Sequence, residues 1–174
     1  RIGRRAPETR HIVTDRSEHA RHIRRLVETQ RFAVLSTHES DGHPYASLVA
    51  FCVAPNLKQI VFCTLRSTRK FANLEAEGRV ALLIDNRSNE ETDLQEAAAV
   101  TVLGVCEEAE GDERRALADC FLTRHPAMAE FVRSPGCAVM RVDVRSYYLV
   151  TRFQNVIELH VQDGKHDDPD ETPA

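Results

Sequence analysis

No stretch of this chain reaches the roughly 18 to 20 consecutive apolar residues that a membrane-crossing helix needs. Its first residues are polar and arginine-rich, with no apolar signal region behind them. There is no initiating methionine, so an upstream stretch is expected, and the protein is read as cytoplasmic. No CxxC pair occurs among the five cysteines, Cys52, Cys63, Cys106, Cys120 and Cys137. Odd in number, widely spaced and mostly set in apolar runs, they suit neither a zinc site nor a dithiol motif. Reduced core thiols of a cytosolic protein are the expectation. The chain also lacks the GxxxxGK(S/T) phosphate loop and the GxGxxG dinucleotide fingerprint. Ser36 and Ser47 have no spaced His and Asp partners for a hydrolase triad. A strong charge of one sign is missing too. The formal net charge of −4 gives no general case for nucleic acid or membrane as partner.

What is present is a chain of 174 residues with an ordinary hydrophobic fraction of 42%, enough for one domain with a proper core and cramped for two. Residues 1–31 are Arg-biased, while the stretch from Asp163 to Ala174 is acidic and carries Pro169 and Pro173. Residues 1–16 are expected to be a flexible basic arm and 162–174 an acidic disordered tail. Neither buries enough apolar surface to offset its ordering entropy. The folded domain is placed at 17–161.

Along that domain Ser17 is expected to cap a helix with Ile23, Leu26 and Val27 on one face, ending near Gln30. Strands follow at Phe32–Thr37 and Tyr45–Val53, joined by a Ser40-Asp41-Gly42 hairpin turn. The second strand is apolar on both faces, with Val49, Phe51 and Val53 on one side and Ala46, Leu48, Ala50 and Cys52 on the other. One face fills a barrel, and the other needs a helix, a partner subunit or a ligand to cover it. Gln59–Thr64 is a third strand. A helix opening at Ser67 or Thr68 runs to about Glu77, with Gly78 as its C-cap. Arg79–Asp85 and Ala97–Glu107 are further strands, separated by a polar loop, Asn86–Glu96, without periodicity. Asp112 begins a helix with Leu117 and Phe121 on one side, and a short helix starts at Pro126. Pro135-Gly136 breaks it before a long strand, Ala138–Val150, and a last strand, Val156–Val161. Many strands with tight turns and few helices between them predict a mainly β (α+β) fold. Specifically, we expect a six- to seven-stranded antiparallel split β-barrel with flanking helices.

The chemistry is concentrated in Ile60 to Leu74, where a buried strand leads through a hydroxyl- and cation-rich turn into a helix. A helix N-terminus offers unpaired N–H groups and a positive dipole end to an anion. Ser67 and Thr68 add hydroxyls, Arg69 can fork onto two phosphate oxygens, and Lys70 adds a point charge. Cations in a first helical turn oppose the macrodipole, and a bound phosphate turns that conflict into attraction.

Three blocks together resemble the pyridoxamine 5′-phosphate oxidase-like superfamily of FMN-binding split barrels. They are Phe32–Thr37 with Asp41–Phe51, Phe62–Leu74 with Arg79–Asp85, and Ala99–Gly104 followed by an acidic helix start. The resemblance covers roughly residues 17 to 150. It implies a homodimer with FMN in clefts between subunits. It also implies that Ser47, Leu48 and Val49 line the isoalloxazine, mainly through backbone contacts. Thr64, Ser67, Thr68, Arg69 and Lys70 then hold the ribityl phosphate, and Gln95 and Ala99 approach the flavin edge from the second subunit. Asn73 and Leu74 look like the pair that follows this site in the heme-utilization branch, where a His stands in place of Lys70. The oxidase proper has an Arg near Ser47, a Lys near Cys52 and an aromatic near Asn86. This chain has none of these, so oxidation of vitamin B6 phosphates is not expected.

The leading expectation is a flavin-dependent oxidoreductase acting on a small molecule, with the flavin carrying the chemistry and no general acid or base marked. The alternatives are a heme-binding or heme-degrading barrel, a deazaflavin-dependent reductase, and a non-catalytic flavin sensor. Heme needs an axial ligand, for which His125, His160 and His166 are candidates. His19 and His22 lie one helical turn apart without an evident third metal ligand. Glu107, Glu108, Glu110, Asp112 and Glu113 form an acidic cluster that a helix start and solvation account for. Tyr147, Tyr148 and Phe153 are placed in the core or at a dimer interface.

Overall fold

The computed structural model describes residues 16–151 and 155–161. The expectations for the arm, the tail, Phe153 and His166 therefore lie outside the described residues, apart from Arg16. A helix, α1 (Arg16–Thr29), precedes strands β1 (Phe32–His38), β2 (Pro44–Val53) and β3 (Gln59–Leu65). Helix α2 (Arg69–Ala76) leads to β4 (Arg79–Asp85), and one helical turn, α3 (Asp93–Glu96), to β5 (Ala98–Glu108). Helix α4 (Gly111–Arg124), a 3-10 turn and α5 (Ala129–Arg133) precede β6 (Cys137–Thr151) and β7 (Asn155–His160).

All strand pairs are antiparallel, in the order β3-β2-β1-β4-β5-β6-β7, and a further β3–β6 pairing closes six of them into a barrel. The expected split barrel is therefore the fold. Strand β6 makes both the closure and the split. Its first half, Cys137–Asp143, pairs with β3, and its second half, Ser146–Thr151, pairs with β7 on the same edge.

The barrel interior is filled from alternating positions, such as Ala33 and Leu35 on β1, Val49 and Phe51 on β2, and Val100 and Val102 on β5. Ile23, Leu26 and Val27 of α1 pack against this core, as the helical spacing of those three residues predicts. A second cluster lies on the outer side of β2, β3 and β6, where Ala118 and Phe121 of α4 and Val132 of α5 cover Cys52, Val61 and Val139. This answers half of the question posed by the doubly apolar β2. Its outward Cys52 is covered by a helix, whereas Leu48 on the same face stays 67% exposed.

Three local expectations are corrected. Helix α1 already includes Arg16, so Ser17 lies in its first turn and is not its cap. Gly78 is not a left-handed C-cap, because the cap is Glu77 in an extended conformation. Glycine is required at 78 by close approach, since a Cβ there would sit 2.8 Å from the Cys106 carbonyl oxygen. Residues 86–96 are not wholly irregular. The Asp93 carboxylate accepts hydrogen bonds from the N–H groups of Ser88, Asn89 and Glu90 and so organises the turn α3. Strand β6 is irregular, with a bulge opposite the step between Leu103 and Gly104 of β5. Leu103 pairs with Ser146 but Gly104 pairs with Val144, so Arg145 is the extra residue. Up to that point Met140, Val142 and Val144 face inward, and beyond it Tyr147 and Leu149 do. Only glycine fits at 104, where a Cβ would meet the Asp143 carbonyl oxygen at 2.5 Å. The buried Tyr147 donates its hydroxyl to the Leu57 carbonyl at 2.7 Å.

Burial pushes the thiols of Cys63 and Cys106 up from an ordinary value near 9 to about 12. Folding therefore favours the protonated thiols. This contribution to stability is complete below about pH 9 and is lost as pH rises toward 12. The urea midpoint is expected to hold steady up to pH 8 and to fall between pH 9 and 11, with Cys106→Ala flattening that fall. A midpoint independent of pH over that range would refute the assignment.

Candidate functional site

The site is built where β2 and β3 part company. Their ladder consists of Phe51↔Phe62, Cys52↔Val61 and Val53↔Ile60. Beyond it Ser47 and Val49 pair only with β1, and Thr64 and Leu65 pair only with β6. A wedge opens between the two strands, and the first turn of α2 stands at its mouth. The structure thus brings Ser47, Leu48 and Val49 to one wall and Thr64 to Lys70 to the other.

Thr68 is the N-cap of α2, with extended backbone (φ −86°, ψ 152°) and its Oγ1 accepting from the Phe71 N–H at 3.4 Å. The turn before it is closed by the Thr68 N–H and hydroxyl, both donating to the Leu65 carbonyl, at 3.1 and 2.8 Å. Thr64 is buried, and its Oγ1 lies 3.0 Å from Thr68 Oγ1. Since the Thr68 proton is directed at Leu65, Thr64 is the donor of that pair. Both threonine hydroxyls are therefore committed to shaping the turn. The donors left for an anion are the exposed Ser67 hydroxyl and the backbone N–H groups of Arg69 and Lys70, none of which has a partner among the described residues.

Arg69 is not a free fork. Its Nη1 donates to Glu39 Oε1 at 2.8 Å, and its guanidinium stands 5.8 Å from the centre of the Tyr45 ring. The carboxylate raises the Arg69 pKa further, so the side chain stays charged throughout. This contact fastens α2 to the β1–β2 turn, 65% exposed on the arginine side and 27% on the glutamate side. Nε and Nη2 of Arg69 remain for a ligand. Lys70 is half-buried, with no ion pair among the described residues. On the opposite wall, Ser47 faces inward with Val49, and its Oγ is buried without a hydrogen-bond partner. An orphaned hydroxyl of that kind marks a place where a polar ligand atom fits.

Asn73 and Leu74 serve the frame rather than the mouth of the site. Asn73 Nδ2 donates to the buried Thr37 Oγ1 at 3.0 Å and holds α2 against β1, while Leu74 lies in the barrel core. Gln95 and Ala99 are not brought to the wedge. Ala99 sits on β5, three strand positions from β2, about 14 Å at the usual strand spacing. Gln95 is exposed on α3 in a groove of about 700 Å³ that His22, Asn86, Leu94 and Thr151 also line.

Sequence reasoning missed Thr37, Glu39 and Tyr45. Inward alternation along β1 points to Thr37, but nothing local marks Glu39 as the partner of a residue thirty positions away. The histidine candidates fare differently. His125 is buried and its Nε2 lies 2.8 Å from the Phe51 carbonyl, so it is engaged in anchoring α4. His160 is exposed beside Glu158 at 3.1 Å. No group of three or more His, Cys, Asp or Glu residues among the described residues could hold a metal ion. The acidic cluster is largely ion-paired, with Glu108 on Arg66, Asp112 on Arg115, and both Glu107 and Glu113 on Arg141. Solvation alone is thus not its explanation.

Residues 20–151 match the family defined as pyridoxamine 5′-phosphate oxidase, well over half of the chain. Similar solved structures include a heme binding protein from Mycobacterium smegmatis (24% identity, TM-score 0.70, covering 78% of this chain and 55% of that one). An FAD-binding protein from Mesorhizobium loti is 14% identical, with a TM-score of 0.60 over 75% of this chain and 92% of that one. The heme storage protein HutZ of Vibrio cholerae is 16% identical, with a TM-score of 0.63 over 75% and 92%. These likenesses are of fold, and this chain spans just over half the length of the mycobacterial protein. No curated protein matches.

Thr68→Ala removes the cap of α2 and the acceptor of the Thr64 hydroxyl. A loss of about 1 to 2 kcal/mol in unfolding free energy is expected. Thr68→Ser should restore most of it. Equal losses for both variants in urea titrations would show that the hydroxyl is not what matters.

Proposed function

The chain belongs to the pyridoxamine 5′-phosphate oxidase family, and from that premise we propose that it is an FMN-binding flavoprotein. The observation that carries this is the pairing of two unsatisfied features across one wedge. The N-terminal turn of α2 offers free N–H groups, the Ser67 hydroxyl and the Lys70 ammonium, and the Ser47 hydroxyl lies buried and orphaned opposite. Arg69, Lys70 and Ser67 hold the ribityl phosphate, with Thr64 and Thr68 shaping the turn behind them. The isoalloxazine lies along Ser47, Leu48 and Val49. When bound, the flavin supplies a carrier of hydride or single electrons, which makes the protein an oxidoreductase of small molecules. The chain's own residues bind the cofactor, orient it and exclude water from one of its faces. No side chain in the wedge marks a proton donor. Five free thiols and no described helix long and apolar enough to cross a membrane accord with a cytoplasmic setting.

The functional unit is a homodimer on this reading. Phe32, Leu48 and Leu103, on the outward faces of β1, β2 and β5, are 55%, 67% and 37% exposed. Between them Val34 on β1 and Leu83 on β4 are only half-buried. A continuous apolar band of this kind calls for a covering surface. A second copy supplies one, and it also provides the route by which Gln95 and Ala99 reach a flavin held by the first.

The reading rests on flavin rather than heme because both described histidine candidates already have partners. The test is the absorbance spectrum of the purified protein, with FMN titrated into any colourless fraction. A band near about 450 nm is expected, and Arg69→Ala with Lys70→Ala should weaken FMN binding by tenfold or more, as loss of charge-assisted hydrogen bonds does. A wild-type protein that neither carries nor takes up FMN refutes the reading. A Soret band puts heme in its place, and a band near about 420 nm a deazaflavin. Light scattering checks the dimer. Leu48→Asp should halve the mass, and an already monomeric wild type removes the second copy from the proposal.

A further inference from the structure

Two of the free thiols face each other across the second hydrophobic cluster. Cys52 Sγ, on the outward face of β2, lies 3.4 Å from Cys120 Sγ on α4. Their positions are set independently of one another. Cys52 is fixed by the β2–β3 ladder, opposite Val61. Cys120 is fixed by α4, which Phe121 and Ala118 seat on the barrel, and whose end is anchored by His125 to the Phe51 carbonyl and by Arg124 to the Gln30 carbonyl. A disulfide needs the sulfurs at about 2.05 Å, so closing it takes a movement of about 1.4 Å, within reach of side-chain rotation.

The surroundings differentiate the two thiols. Cys52 is 3% exposed, whereas Cys120 is partly exposed on the flank of α4. Arg124 follows Cys120 by one helical turn, and its Nε is a buried donor with no hydrogen-bond partner. Burial and the Cys120 hydrogen bond push the Cys52 thiol upward, with the Arg124 charge opposing them only in part, so Cys52 is held as the protonated thiol. Cys63 and Cys137, on neighbouring strands close by, interact with each other as well, but Arg114 and Arg66 are the cations near them.

We propose that Cys52 and Cys120 form a peroxide-sensitive oxidation site that closes to a disulfide and staples α4 to β2. Cys120, the accessible thiol, reacts first. The O–O bond of hydrogen peroxide breaks, one oxygen forms an S–O bond to give the sulfenic acid, and the other leaves as water. Cys52 then attacks Cys120 Sγ, the S–S bond forms and the S–O bond breaks. The departing hydroxide takes the Cys52 proton and leaves as a second water. Two thiols lose two electrons in all, and one peroxide becomes two waters. The bond fixes the helix that covers one half of the outward face of β2, four residues along that face from Leu48.

The test treats the reduced, desalted full chain with near-stoichiometric hydrogen peroxide, blocks the remaining thiols, and maps peptides without reduction. The expected result is an intact mass lower by two hydrogens before blocking, and a linked peptide pair containing Cys52 and Cys120 after it. That link should vanish in Cys120→Ser and persist in Cys63→Ser. A predominant Cys63–Cys137 link overturns the proposal, as does a Cys120–Cys120 link between chains. So does sulfinic acid at Cys120 with no link. The wild-type map decides the matter by itself if the serine variants fold poorly.

Discussion

The ladder between β3 and β6 is the contact on which everything else depends. It runs over seven residue pairs, from Gln59↔Asp143 to Leu65↔Cys137, and it turns an open sheet into a barrel. Because β6 is longer than β3, the same edge goes on to receive β7. Because β3 leans toward β6, it abandons β2 after Phe62, and the wedge appears as a consequence of closure. The geometry of the wedge is therefore a by-product of how an antiparallel sheet is forced shut, and it needs no dedicated loop.

A bridge of polar contacts then makes the wedge definite. Thr64 and Thr68 hold the turn in shape, Asn73 ties α2 to Thr37 in β1, and Arg69 ties the same helix to Glu39. One helix is thus fastened to β3, to β1 and to the turn that leads into β2. The cations in its first turn are partly answered from within by a carboxylate, which explains how they are tolerated at a positive dipole end. The backbone N–H groups of Arg69 and Lys70 in the same turn have no partner among the described residues.

Much of this was legible in the sequence, because the strands and helices obey local rules. The run Arg79–Asp85 reads as a strand by its alternation, and Ser67 or Thr68 reads as a helix start, of which the structure makes Thr68 the cap. The opposing faces of β2 were legible as well, and with them the need for two different covers. What escaped were features that depend on residues far apart in the chain. Glu39 becomes a partner of Arg69 only once the barrel closes. Gly78 resembled a helix cap because the approach of Cys106 is invisible locally. Gln95 and Ala99 were assigned from family resemblance as contributions of a second subunit, a relation no local pattern marks, and Ala99 lies on β5, two strands from β3 by way of β6. The 3.4 Å approach of Cys52 to Cys120 likewise joins residues with no shared pattern.

The extra residue in β6 has a meaning of its own. Before Arg145 the even-numbered side chains join the barrel core, and after it the odd-numbered ones do. The strand therefore runs on two phases, one set by the β3 partnership and the other by β7. Removing a single residue at that point would leave the strand length nearly unchanged while exchanging the environments of Tyr147, Tyr148, Leu149 and Val150. Within this barrel, a one-residue deletion in the middle of a strand would act as an inversion of four side chains rather than as a shortening.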